Sequence, residues 1–160
     1  MPRSRERKSH PAPEVKPVAA ADVLPLRQLI LRPGKPLAEC VFGGDDAVDT
    51  GHFGVFVSGR LVGIASICRE ASPGPANRDA WRLRGMAVAA EHRRQGLGGL
   101  LVHACLEHTR RHGATLVWCY ARTAAVGLYR QAGFRTVGDE FVIPDVGPHY
   151  VMTLARAGQT

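Results

Sequence analysis

Followed for the spacing of its apolar residues, the chain begins without any periodicity. Residues 1–13, rich in Arg, Ser and Pro, predict a disordered basic tail, and residues 157–160 a short C-terminal one. Between them, residues 14–156 read as one domain. Val15–Val18 reads as a short strand. A helix follows from about Ala20 or Asp22 to Leu31, interrupted early by Pro25 and closed by Pro33-Gly34. Residues 33–51 are rich in Gly, Pro and Asp and form a long loop carrying the acidic cluster Asp45, Asp46 and Asp49, of a length that is often functional. Phe53–Val57 and Leu61–Ile67 are β-rich runs around Ser58-Gly59-Arg60 and read as a hairpin.

After a turn-rich stretch at Ser72–Asn77, the strand pattern returns from Trp81 to Val88. From Gly96 to His112 the period changes to helical, with Leu97, Leu100, Leu101, Ala104, Cys105 and His108 on one face. Arg110, Arg111 and His112 suit the negative end of that helix, and Gly113 its C-cap. Thr115–Tyr120 reads as a buried strand and Thr123–Gln131 as a short helix stopped by Ala132-Gly133. Phe134–Ile143 and Tyr150–Leu154 read as closing strands. The order β-α-β-β-β-α-β-α-β-β implies an α/β (mixed α+β) fold, a twisted central sheet with helices on both faces.

Composition narrows the field. The chain of 160 residues has a net charge of +7, and Arg3, Arg5, Arg7, Lys8 and Lys16 against Glu6 and Glu14 place +3 of it in residues 1–17. A basic excess attracts nucleic acid, acidic lipid or a polyanionic cofactor. No aromatic residues interleave with the tail's charges, which argues against specific nucleic-acid binding. The four cysteines, Cys40, Cys68, Cys105 and Cys119, are widely spaced without C-x-x-C, so a disulfide framework or zinc site is not expected. His108 and His112 stand at i and i+4 but lack the glutamate of H-E-x-x-H and sit amid arginines, so no metal is expected there. With no apolar leader and no membrane-length apolar run, a cytoplasmic protein that does not associate with membranes is expected.

The segment richest in chemistry is Val88–Val102, where Gln95, Gly96, Leu97, Gly98 and Gly99 join strand to long helix. Unpaired backbone N–H groups there meet the positive end of a helix dipole, a geometry that binds phosphate. The glycines let an anion approach closely, and Arg93 and Arg94 add charge. Gly98-Gly99 is followed by Leu100, not by the Lys-Ser/Thr of a P-loop. The third glycine of G-x-G-x-x-G is replaced by Leu101. What remains is R-x-x-G-x-G, carried by Arg93, Gly96 and Gly98 with Val88 five residues before the arginine.

This pattern closely resembles the coenzyme A pyrophosphate motif of GNAT acyltransferases. The run Ala124–Phe134, AAVGLYRQAGF, resembles that superfamily's C-terminal signature, a helix carrying a tyrosine and ending in Gly-Phe. The resemblance spans about residues 14–156 and implies a mostly antiparallel GNAT sheet. It further implies an N-acetyltransferase that passes acetyl from acetyl-CoA to a primary amine in a ternary complex. By resemblance, Met86, Ala87 and Val88 pair with the pantetheine arm, and residues 93–99 hold the pyrophosphate. The strand at Met86–Val88 also offers an N–H to the developing oxyanion, and Tyr129 is the acid that protonates the departing thiolate. A phenol near pKa ~10 suits a thiol near ~8.5.

Two departures stand out. Many members have asparagine seven positions before the tyrosine, where this chain has Arg122. Many also carry a glutamate on the strand before the phosphate turn, where this chain reads Trp81-Arg82-Leu83-Arg84-Gly85. The general base is therefore open between His52, His149 in the P-H-x-x-M segment Pro148–Met152, and water. Asp45, Asp46 and Asp49 offer a site for a cationic amine or a solvated loop. The acceptor is a small-molecule or protein amine, and the oligomeric state is open between monomer and homodimer. The alternative to catalysis is an acyl-CoA-binding or sensing module, suggested by the missing carboxylate.

Overall fold

The structure is a computed structural model that describes residues 11–74 and 79–156. Most of the expected basic tail, the expected tail at 157–160 and the second half of the 72–77 turn lie outside the described residues. The strands are β1 (Glu14–Pro17), β2 (Gly51–Val57), β3 (Arg60–Arg69), β4 (Ala80–Val88), β5 (Leu116–Arg122), β6 (Arg135–Ile143) and β7 (Gly147–Ala155). They form a 7-stranded sheet in the order β1-β2-β3-β4-β5-β7-β6. Every neighbouring pair is antiparallel except β4 with β5. The element order and the mostly antiparallel sheet agree with the sequence reading.

The first helix is less regular than its apolar spacing predicts. A 3-10 turn (Ala20–Val23) leads into α1 (Leu24–Leu26), and a wide turn of π type (Arg27–Leu31) follows, ended by the Arg32 N–H on the Arg27 carbonyl at 2.9 Å. Pro25 supplies no N–H to a regular ladder, so the segment divides around it. The second helix, α2 (Leu97–Arg111), follows its predicted span closely. The last, α3 (Val126–Gln131), is preceded by a 3-10 turn at Thr123–Ala125.

Hydrophobic burial places helices on both faces of the sheet. Leu97, Leu101, Val102 and Cys105 of α2 and Val126 and Tyr129 of α3 join Val55, Ile67, Trp81, Val117 and Cys119 in the main core. On the other face, Val23 packs on Ile64 and Ala87, with Leu26, Ile30 and Leu31 around them. All four cysteines are free and buried.

The sheet is tight on either side of one seam and open along it. β4 and β5 pair only where Ala80–Arg82 meets Leu116–Trp118, and beyond that, among the described residues, β4 has no strand on this edge. β5 instead stays paired to β7 from Leu116 through Arg122. The divergence coincides with a bulge in β4. Ile64 pairs with Ala87 and Ser66 with Arg84, so β4 carries an extra residue there, at Gly85 with φ +64°. A bulge of this kind bends its strand and increases its twist. The backbone of residues 83–88 therefore faces a wedge between two halves of the sheet.

Candidate active site

One end of the wedge is the glycine turn. Gly96 caps α2 with φ +77°, and Arg94 is also left-handed at φ +62°. No side chain caps the helix, so its first-turn amides are unpaired. Arg93 Nε donates to the Val88 carbonyl at 3.1 Å, tying the turn to the end of β4. Arg93 and Arg94 are otherwise exposed, as are Gly96 and Gly99. A Cβ on Gly98 would lie 3.1 Å from Leu128 of α3, so this glycine lets the two helices approach. The turn, Val88 and the Ala124–Leu128 segment line a depression of about 420 Å³. It has the donors, charge and room that a diphosphate needs.

The wedge itself is a cleft of about 240 Å³. Its lining includes Met86 of β4, Tyr120 and Arg122 of β5, Tyr129 of α3 and His149 of β7. Ala125 belongs to both depressions, and Met86 and Val88 stand two residues apart on one strand, so cleft and turn are contiguous.

Tyr129 is 5% exposed, its ring edge-on to Phe134 at 5.7 Å. Burial, with smaller contributions from Cys119 and Cys105, holds its phenol well above the ordinary value, so it keeps its proton. His149 is 4% exposed, and its Nδ1–H donates to the Gly147 carbonyl at 2.7 Å. That bond fixes the tautomer, leaving the Nε2 lone pair free to accept a proton.

His52 has no such freedom. Its Nε2–H donates to the Asp45 carbonyl at 2.8 Å, and its Nδ1 accepts from the Ser66 hydroxyl at 2.6 Å. It does not line the cleft. Its lone pair is already used, so it serves the loop rather than a reaction.

Neither reading of the acidic loop, a cationic-amine site or a solvated loop, holds for Asp45. Asp45 is buried, held bidentately by Arg27 at 2.5 and 3.1 Å, by the Phe42 amide at 2.9 Å and by Arg84 at 3.2 Å. Arg27, fully buried, also donates to Ser66 Oγ at 3.1 Å and to the Cys40 carbonyl at 2.9 Å, and lies 4.1 Å over the Phe42 ring. Asp49 pairs with Arg69 at 2.6 Å. None of the three aspartates lines the cleft. His108 and His112 are likewise occupied. His108 Nε2 donates to the Asp49 carbonyl at 2.7 Å, and His112 Nδ1 to the His108 carbonyl at 2.8 Å.

The wedge, the uncapped glycine turn and the buried tyrosine point to one family, and comparison with known proteins decides the matter. The profile of the acetyltransferase (GNAT) family matches residues 27–134. The chain belongs to the GNAT family. It is 36% identical over 139 residues to an uncharacterized N-acetyltransferase of Bacillus subtilis, YitI, covering 87% of this chain and 93% of that one. Among solved structures, ElaA of Escherichia coli superposes with a TM-score of 0.72 at 18% identity, covering 89% of this chain and 99% of the other. A ribosomal-protein-alanine N-acetyltransferase of Brucella melitensis gives 0.73 at 18% identity, with the same coverages. These two establish the fold.

As a GNAT protein, the chain is an acyl-CoA-dependent N-acetyltransferase, and the family's cosubstrate is acetyl-CoA. The exposed glycines and open amides of the turn fit the diphosphate of that molecule. Reading the sequence alone misses three features of this GNAT site. One is the bulge at Gly85, for which an isolated glycine in a strand was the available signal. The others are the Arg27–Asp45 ion pair, spanning eighteen residues, and the run of arginines along the cleft.

Proposed function

We propose that the protein acetylates a primary amine by direct attack on acetyl-CoA within the cleft between β4 and β5. The observation that carries this reading is the wedge itself, a free strand edge leading from the glycine turn to a protonated phenol and a histidine lone pair. In this reading the unpaired edge at Met86–Val88 takes the pantetheine arm, and Arg93, Arg94, Gln95, Gly96, Leu97, Gly98 and Gly99 surround the diphosphate. The amine nitrogen bonds to the thioester carbonyl carbon and its proton passes to His149 Nε2. The C–S bond then breaks, and Tyr129 O–H protonates the departing sulfur, giving amide and free CoA thiol. Proton exchange through solvent returns Tyr129 and His149 to their starting states.

Direct attack is favoured because, among the described residues, no cysteine, serine or threonine lines the cleft. Burial pushes the Cys119 thiol up to about 12 and Cys105 higher still, so neither is a thiolate nucleophile near neutral pH.

The reading is tested by titrating the protein with acetyl-CoA, dephospho-CoA and pantetheine, then following thiol release across an amine panel. Affinity that depends on the diphosphate, followed by acceptor-dependent thiol release, supports it. Absence of binding would return the glycine turn to a purely structural role. Binding without release would favour the sensing module.

Tyr129→Phe is expected to lower kcat by about 10²-fold or more while acetyl-CoA affinity stays within about twofold. Because the phenol is held above its usual range, wild-type kcat should show no alkaline fall from this group up to about pH 10. Such a fall, absent in Tyr129→Phe, would contradict the buried-donor role. His149→Asn is expected to lose about 10²-fold in kcat at pH 7. The deficit should shrink as pH rises and the amine deprotonates without help; a constant deficit would remove His149 as base.

A further inference from the structure

Among the described residues, the charged side chains lining the cleft besides His149 are Arg32, Arg82, Arg84 and Arg122, and no carboxylate lines it. Two of these arginines are ion-paired. Arg82 pairs with Glu70 at 2.9 Å, and Arg84 with Asp45 at 3.2 Å and Glu70 at 3.8 Å. Arg32 and Arg122 are different. Both are exposed, and among the described residues neither has a carboxylate within ion-pair distance. The Arg32 guanidinium lies 5.5 Å from the centre of the Phe42 ring. Arg32 follows the π-type turn that packs beside β4, and Arg122 ends β5, so the two reach the cleft from its two sides.

We propose that the acceptor is a small amine carrying an oxyanion, a carboxylate or a phosphate, which Arg32 and Arg122 hold while the amine meets the thioester. This rests on the reading of the cleft as the acetyl-transfer site. Guanidinium groups match both oxyanions through paired N–H donors. A polycation such as a polyamine would bring more positive charge against unbalanced arginines. The same field acts on the nucleophile, because a nearby positive charge disfavours ammonium and releases the neutral amine that attack requires. An anion elsewhere on the acceptor offsets that repulsion. The cleft's volume, below the roughly 300–1,000 Å³ of common ligand pockets, suits a small acceptor.

The test is acetyl-CoA thiol release with matched acceptors: L-amino acids against their carboxamides, O-phosphoethanolamine against ethanolamine, and spermidine. The expected result is kcat/KM at least about tenfold higher for an anionic member than for its neutral partner, the productive pair showing which oxyanion is used. Arg32→Gln should raise KM for that acceptor about tenfold, with acetyl-CoA affinity unchanged within twofold and partial recovery in Arg32→Lys. Equal or better turnover of carboxamides, ethanolamine or spermidine would overturn the proposal. So would Arg32→Gln weakening acetyl-CoA instead, or a preference for succinyl-CoA over acetyl-CoA with neutral amines, which would assign the arginines to the donor. Thiol release with neutral or cationic acceptors but not with anionic ones would sink the acceptor proposal alone, whereas acetyl-CoA binding with no release from any acceptor, or failure to bind acetyl-CoA, would remove the reading beneath it as well.

Discussion

Asp45→Ala is expected to destabilise the protein by about 3–5 kcal/mol, because it strands the fully buried Arg27 guanidinium without its counter-charge. For a domain of this size about 2–4 °C is lost per kcal/mol, so Tm should fall by roughly 10 °C. Urea denaturation of both proteins measures the difference directly. A loss under about 1 kcal/mol would mean that the pair does not anchor the loop over residues 33–51. Asp49→Ala is the control. Its Arg69 partner is half exposed, and such surface pairs contribute about 0–1 kcal/mol.

The same residue sets an acid limit. Burial opposes ionisation of Asp45, but the Arg27 hydrogen bond, the Phe42 amide and the charges of Arg27 and Arg84 outweigh it and hold the carboxyl below its usual range. A carboxyl whose folded pKa lies below its unfolded value of about 3.9 gives its full stabilisation above that value. The stabilisation is lost as pH falls toward and through the folded pKa. Urea midpoints should therefore drop below about pH 4, and Asp45→Asn should flatten that drop.

Gly98→Glu is expected to weaken acetyl-CoA binding by more than about 100-fold, equivalent to some 2.7 kcal/mol. The substitution puts a carboxylate beside the amides proposed to receive the diphosphate, and its Cβ presses on Leu128 at 3.1 Å. Gly98→Ala separates the two effects. The added methyl displaces only the end of a flexible leucine, so affinity should fall less than about tenfold with Tm nearly unchanged. If Gly98→Glu binds acetyl-CoA as wild type does, the diphosphate lies elsewhere.

Much of this was readable along the chain because it depends on neighbours in sequence. The amphipathic period of Leu97–Arg111 and the glycines of the turn before it are local signals, as is the helix bearing Tyr129, and each element forms close to its predicted bounds. Pro25 announced an interruption, though not the π-type turn after it.

By itself, then, the sequence determined the strand and helix order, the glycine turn that starts the second helix and the family, since these rest on period, turn chemistry and short motifs. The tertiary structure alone decided which charged groups are spent and which are free. It drew Asp45 and His52 into hydrogen bonds around Arg27 and turned the Nε2 of His149 loose in the cleft. It also left Arg32 and Arg122 there without an ion-pair partner among the described residues. A side chain's partner is set by which distant strands the fold brings together. The bulge at Gly85 opens β4 from β5, and that separation, absent from any local pattern, makes the cleft.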